Sequence, residues 1–336
     1  MKEALFYKSL PDKVVQCRLC PKFCRINPGD TGNCMVRENQ NGKLYTHVYD
    51  KISAINIDPV EKKPLFHFYP GKQILSIGGI GCNFHCSFCQ NYSISQCLPS
   101  DYSLLKDMTV QEIAGQAARI KNNIGIAYTY NEPFTFYEFM ADLSREAKKF
   151  GLKNVVVSNG FINEDPLKKI LPFIDAFNID LKSFSDRFYM KYSKGKLLPV
   201  LKTIKTIAES NAHLEITFLI IPGLNDDPRE FEDMLSWISG NLGKNVPLHL
   251  SRYFPQYKLT TEATPEETMV RFYRMAREKI NYVFLGNVHT PDKANTYCPF
   301  CGYEVISRDR YLVNTKGLSD SCTCLNCGAK LPGIIC

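Results

Sequence analysis

The stretch "GGIGCNFHCSFCQN", residues 78–91, sets Cys82, Cys86 and Cys89 within eight positions, directly after the apolar run "ILSIG" at 74–78. The spacing of three residues and then two supplies three thiols and no fourth. A zinc knuckle uses pairs, and a disulfide needs a partner elsewhere. Three thiolates can hold a four-iron cluster, which usually takes four, and leave one iron open as a docking point. The plainer alternative is a zinc site completed by His85 or by a remote cysteine. Glycines before the first cysteine let the backbone approach a bulky group with no Cβ in the way.

Outward from this stretch the chain alternates short apolar runs with longer amphipathic ones. Strands are expected at 74–78, 124–129, 154–159, 176–181, 214–220, 247–251 and 282–286. Helical patterns lie between them at 109–122, 134–150, 164–171, 197–210, 228–242 and 265–279, the first with a Thr109/Glu112 capping box. This alternation predicts parallel strands joined by right-handed helical crossovers. It gives a barrel, complete or one strand short, or an open doubly wound sheet. The barrel puts functional residues just after the strands, on the C-terminal rim.

Three domains follow: a cysteine-rich N-terminal module at 1–72, a core at 73–288 and a cysteine-rich C-terminal module at 289–336. Residues 287–297 read as a linker. Hydrophobic residues make up 44% of the 336 and charged residues 22%, which fits a soluble globular chain. No run has signal-peptide character or the length of a membrane span, so a cytoplasmic protein without membrane contact is expected. Fourteen cysteines in a reducing compartment argue for metal rather than disulfides. The formal charge of +7 falls to about +4 once one zinc site and one cluster bring their thiolate charge. That excess is too small to imply nucleic acid.

"CNFHCSFC" matches Cys-x3-Cys-x-aromatic-Cys, and here the chain resembles the radical S-adenosylmethionine (radical SAM) superfamily. "YTYNEPF" at 128–134 looks like its Gly-Gly-Glu-Pro segment, with Tyr130 and Asn131 in place of the glycines. "VVVSNGF" at 155–161 looks like the Ser-Asn-Gly segment after the third strand. "NIDLKSF" at 178–184 and "IIPGLNDD" at 220–227 are similar to segments of pyruvate formate-lyase-activating enzymes. "CRLCPKFCRINPGDTGNCMVREN", "DPVEKKPLFHFYPG" and "SRYFPQYKL" further resemble the radical SAM member of the AmmeMemoRadiSam system.

The resemblance implies an α/β fold, a partial (β/α)6-type TIM barrel with small cysteine-rich modules at both ends. It also implies a [4Fe-4S] cluster on Cys82, Cys86 and Cys89. S-adenosylmethionine would chelate the open iron and be cleaved by one electron to a 5′-deoxyadenosyl radical, which takes hydrogen from a substrate. On the same footing Glu132 accepts from the methionine ammonium beside Asn131, and Ser158 and Asn159 bond ribose or carboxylate. Asp180 and Lys182 flank the sulfonium, Pro222 and Gly223 present backbone to adenine, and His249 and Arg252 face substrate. Taken alone, each has a structural reading, from a helix N-terminus to a common turn or a buried ion pair. The implied partners are an external electron donor, a peptide, protein or small-molecule substrate, and the two companion proteins of that system.

Cys298, Cys301, Cys324 and Cys327 form two Cys-x2-Cys-Gly knuckles suited to zinc, which so small a tail needs in order to fold. Cys322 is an alternative to Cys324. Cys17, Cys20, Cys24 and Cys34 are dense enough for metal, either zinc or a second cluster. Cys97 and Cys336 have no assigned role. Two further readings remain: a glycyl-radical-enzyme activase acting on a partner protein, and, from another class, a zinc-ribbon nucleic-acid-binding protein. The second would rest on Arg308, Arg310, Tyr311 and Lys316, without dense basic–aromatic interleaving.

Overall fold

The computed structural model describes residues 1–288, 290 and 292–336. Its centre is an eight-stranded sheet: β1 (Ala54–Pro59), β2 (Gln73–Gly78), β3 (Asn123–Tyr128), β4 (Lys153–Ser158), β5 (Ala176–Asp180), β6 (His213–Ile220), β7 (Leu248–Arg252) and β8 (Val283–Gly286). The strands lie in sequence order, and β2 through β8 are parallel. β1 and β8 are its two unpaired ends, so the curve stays open. The crossovers carry α1 (Val110–Arg119), α2 (Tyr137–Lys149), α3 (Glu164–Ile170), α4 (Leu197–Ala208), α5 (Pro228–Asn241) and α6 (Glu266–Arg277). Thr109 and Glu112 do form the reciprocal cap of α1.

Two elements depart from the sequence expectation. β1 belongs to the stretch assigned to the N-terminal module, yet it pairs antiparallel with β2 along its whole length, from Ala54 opposite Gly78 to Pro59 opposite Gln73. The boundary drawn at residue 72 therefore separates two hydrogen-bonded strands. Without β1, the backbone of β2 would be a free sheet edge. The second departure is a helical turn at Asp186–Phe188 that continues, widened, through Tyr189–Ser193. Its period is too short to stand out in sequence. The linker expected at 287–297 includes residues 289 and 291, which lie outside the described residues.

Residues 1–46 form two small three-stranded antiparallel sheets. They are held to α2 by a buried ion pair in which Arg37 donates to both Glu138 carboxylate oxygens, at 2.6 and 2.7 Å. Arg37 also donates to the Leu5 carbonyl at 3.0 Å, and the Leu5 amide donates back to Glu138 at 2.7 Å. Removing one partner of such a pair costs about 3–5 kcal/mol, because the other charge is left buried.

The opposite end of the sheet is closed by residues 64–71 and the C-terminal module. Glu215, fully buried in β6, accepts from His213 and His249 at 2.9 and 2.5 Å and from the amides of Phe66 and His67 at 3.0 and 2.8 Å. Burial pushes its carboxyl up, but the two histidines outweigh this and hold it well below the usual carboxylate range. Arg308 donates to the Phe66 carbonyl at 2.6 Å and lies over that ring. Tyr69 and Ile335 pair their backbones at 2.7 Å. No helix among the described residues is long and apolar enough to cross a membrane.

His67 sits at this seam, packed on Tyr282 and Phe284, with a buried Nδ1 that has no partner. Burial pushes its pKa down to about 3. A histidine depressed in the fold but ordinary when unfolded takes up protons on unfolding below about pH 6.5. Its contribution is complete above that value and is lost as pH falls toward 3. The urea midpoint should drop between pH 7.5 and 5, and His67→Gln should flatten the slope. An identical slope in the variant would show that His67 is not responsible.

Candidate metal centre and cofactor cavity

β2 ends at Gly78, and the chain then turns sharply. Asn131, after β3, fixes the turn from both sides. Its Oδ1 accepts from the Gly79 amide at 3.0 Å and its Nδ2 donates to the Gly81 carbonyl at 2.9 Å. Gly81 has φ +85°, and a Cβ there would lie 2.6 Å from the Cys34 carbonyl oxygen. At Gly79 a Cβ would meet the Phe136 ring at 2.7 Å. Both positions therefore need glycine for space, and Gly81 needs it for its left-handed backbone as well.

The loop from Cys82 to Cys89 is then clamped along its length. The amides of His85 and Ser87 donate to the carbonyls of Ser193 and Tyr192 at 3.0 and 2.9 Å, which is the work of the widened helical turn. The Phe84 ring lies against Gly195, where a Cβ would come within 2.2 Å of it. Asn83 reaches the Phe161 carbonyl at 2.7 Å and accepts from Asn159 at 2.8 Å. The His85 ring is engaged by Asn33 at 3.0 Å and by Gln96, so it does not complete a metal site with the three thiols.

Cys82, Cys86 and Cys89 open onto a cavity of about 500 Å³ at the C-terminal ends of the strands. Asn131, Glu132, Ser158, Asn159, Asp180 and Lys182 line it as well. Glu132 is buried, and its carboxylate accepts from Ser158 Oγ at 2.8 Å, the Asn159 amide at 2.9 Å and the Phe134 amide at 3.1 Å. Burial pushes its pKa up to about 7 against those bonds, so it sits at the edge of ionisation near neutrality. Lys182 pairs with Asp180 at 3.1 Å. Burial alone would push its ammonium down, but Asp180 and Cys86 outweigh this and keep it protonated. Burial also raises the thiols of Cys82 and Cys86. The thiolates of such a site are stable only against a positive partner, which a metal centre supplies.

Several expected residues lie elsewhere. Pro222 and Gly223 are outside the cavity lining, in a turn where the Gly223 amide donates to Asp226 at 2.7 Å. The useful residue of that segment is Asn225, whose Nδ2 donates to the Lys182 carbonyl at 2.7 Å and so fixes the lysine's backbone. His249 is bound to Glu215 at the opposite end of the sheet. Arg252 is paired with Glu266 at 2.9 Å and does not reach the cavity, which Ser251 lines instead. Arg308 is buried against Phe66, which removes it from any nucleic-acid surface.

Sequence reasoning also missed the wall made by Lys62, Lys63 and Tyr130. Tyr130 holds φ +71°, a left-handed conformation, where the resemblance had a glycine replaced. Its hydroxyl donates to Asp58 at 2.7 Å, and Lys63 bonds the same carboxylate at 2.6 Å. These bonds offset the roughly 1–3 kcal/mol that a side chain costs in that conformation. The only sequence signal was the charged run "DPVEKKP".

In the tail, the sulfurs of Cys298 and Cys327 are 3.8 Å apart and those of Cys301 and Cys324 3.7 Å. Tetrahedral coordination at zinc–sulfur bonds of about 2.3 Å gives edges of about 3.8 Å. Cys322 is bonded to Cys336 in a disulfide, so it is no alternative ligand, and this pair departs from the expectation of metal-binding cysteines throughout. Cys17, Cys20, Cys24 and Cys34 line one narrow cavity beside Asn83 and Phe134. Gly81→Ala should destabilise the chain by about 1–3 kcal/mol, because it adds both φ strain and a clash with Cys34. Anaerobic urea unfolding measures this, and an unchanged midpoint would show that the contact is slack.

Residues 76–238 match the model of the radical SAM superfamily. An uncharacterised protein of Methanocaldococcus jannaschii is 44% identical over 336 residues, covering 98% of this chain and 99% of that one. The pyruvate formate-lyase 1-activating enzyme of Escherichia coli is 25% identical over 154 residues, 44% of this chain and 61% of the enzyme. Among solved structures, a radical SAM methyltransferase from Sphaerobacter thermophilus shares the fold at a TM-score of 0.50 and 16% identity, over 65% of this chain and 67% of that one.

Proposed function

The chain belongs to the radical SAM superfamily, and on that footing we propose that it cleaves S-adenosylmethionine reductively and takes a hydrogen atom from a substrate. The observation that carries this reading is the convergence of three unpaired thiols on one cavity with Glu132, Asn159 and the Asp180–Lys182 pair. A [4Fe-4S] cluster held by Cys82, Cys86 and Cys89 would supply the electron and an open iron for the methionine end of the cosubstrate.

The remaining work falls to this chain's own side chains. Glu132, already fixed by three donors, offers its remaining lone pairs to an ammonium. A cationic ligand would draw it fully into the carboxylate form. Asn159 Nδ2 lies 3.7 Å from the Cys82 sulfur and also donates to Asn83, which leaves a lone pair on its Oδ1 to accept from a ribose hydroxyl. Asp180 and Lys182 bring a paired set of opposite charges to the cavity lining, with the buried Phe88 ring below the Lys182 ammonium. Four tail thiols at tetrahedral spacing support zinc in a scaffolding role.

The substrate reading extends to a peptide, protein or small molecule, with an external low-potential electron donor and the two companion proteins of the AmmeMemoRadiSam system as partners in the cytoplasm. A second reading, glycyl-radical installation on a partner protein, is favoured by similarity to activating enzymes. The match spans 61% of one such enzyme and 49% of another, the (2S)-3-sulfopropanediol dehydratase activating enzyme of Klebsiella oxytoca.

Anaerobically prepared protein given dithionite and S-adenosylmethionine should release 5′-deoxyadenosine, and Cys86→Ala should reduce this at least about 100-fold. About one zinc per chain should remain in that variant, bound by the tail. Full iron loading with no nucleoside formed would reject the reading. Nucleoside formed equally by Cys86→Ala would reject the ligand assignment.

A further inference from the structure

Cys17 closes a short strand, Cys20 and Cys24 follow in the next turn, and Cys34 precedes the strand Arg37–Gln40. The turn is tight: the Cys17 amide donates to the Cys24 carbonyl at 2.9 Å, and the Asn33 amide donates to the Cys24 sulfur at 3.4 Å. All four sulfurs serve one narrow cavity with apolar walls that include Leu19, Ile26 and Phe134. The sequence alone leaves zinc and a cluster open, but sulfur spacing separates them. One tetrahedral ion needs its thiolates about 3.8 Å apart. In a four-iron cluster each thiolate takes a different iron, so the sulfurs stand farther apart.

The chain contains a reference for each case. Among the described residues, Cys298, Cys301, Cys324 and Cys327 form the only set of three or more metal-ligating groups whose ligand atoms all lie within 4.8 Å of one another. Cys82, Cys86 and Cys89 share one cavity without reaching that spacing. The N-terminal four behave in the same way: one cavity, and no three sulfurs mutually within 4.8 Å. We propose that Cys17, Cys20, Cys24 and Cys34 bind a second [4Fe-4S] cluster, closed by four thiolates, which carries electrons and binds no ligand.

Its position suits that role. Cys34 packs its carbonyl directly on Gly81, one residue before Cys82. Asn83 lines the N-terminal cavity while its neighbour Cys82 lines the other. Asn33 bridges the two loops by donating to the Asn83 carbonyl at 3.3 Å. One electron from a low-potential donor reduces the closed cluster from its 2+ to its 1+ state, and passing it on to the neighbouring cluster restores 2+. No bond forms or breaks and no proton moves. The relay role, and the use of Cys82, Cys86 and Cys89 as the wider reference, rest on the reading that those three hold a cluster, whereas the exclusion of a single tetrahedral ion rests on the N-terminal sulfurs alone.

The test is iron, zinc and acid-labile sulfide per chain in anaerobically prepared full-length protein. It is applied to the wild type and to Cys82→Ala/Cys86→Ala/Cys89→Ala, with electron paramagnetic resonance after dithionite. About eight irons and eight sulfides are expected in the wild type, and about four of each in the triple variant. The variant's spectrum should not change when S-adenosylmethionine is added. An iron-free variant carrying about two zincs would overturn the proposal, and a wild type that still held four irons would leave the proposed function standing. A variant spectrum that shifts with S-adenosylmethionine would overturn the closed coordination. Should the triple variant not fold, the wild-type count decides: about eight irons support the second cluster, and four or fewer reject it.

Discussion

The architecture turns on one constraint: the turn after β2 must carry the cysteine loop backbone into close contact with Phe136 and Cys34. Gly79 and Gly81 meet it by removing the two Cβ atoms that would strike Phe136 and Cys34. Everything next to the turn then acts as a fastener. Asn131 holds the Gly79 and Gly81 backbone with both ends of its side-chain amide, and the widened turn at Tyr189–Ser193 secures the far side of the cysteine loop. Buried backbone groups need such partners, and in an irregular loop only neighbouring segments can provide them.

The two ends of the sheet spend their polar residues differently. At the C-terminal ends, thiols, Glu132 and Lys182 line a cavity; burial raises the thiols and Glu132, while Asp180 and Cys86 hold Lys182 protonated. At the other end, Glu215, His213, His249 and the 66–67 backbone satisfy one another directly. One end can therefore receive a ligand, while the other locks the tail to the core. The same residue types carry opposite meanings according to which strand end they occupy.

The N-terminal module is coupled to the core both electrostatically and sterically. Arg37 and Glu138 exclude water from their contact, and Cys34 rests on Gly81. Residues 1–46 are thus a wall of the cysteine loop as much as a separate unit. β1 extends the same continuity by covering the edge of β2. A boundary placed by composition at residue 72 misses this, because strand pairing leaves little trace in a six-residue segment.

By itself the sequence determined the alternation of strands and helices, the positions of all seven parallel strands, and the three thiols at their rim. Those features are set by local periodicity and short-range spacing, which a single chain displays directly. Only the tertiary structure decided where side chains from distant segments point. His249 and Arg252 turned away from the cavity, Asn225 replaced Pro222 and Gly223 as the useful part of its turn, and Lys63 with Tyr130 supplied an unforeseen wall. It also brought the four N-terminal cysteines, spread over eighteen residues, to the lining of one cavity. Sequence separation records neither direction nor distance once the chain has folded, because both are set by packing among residues far apart in the chain.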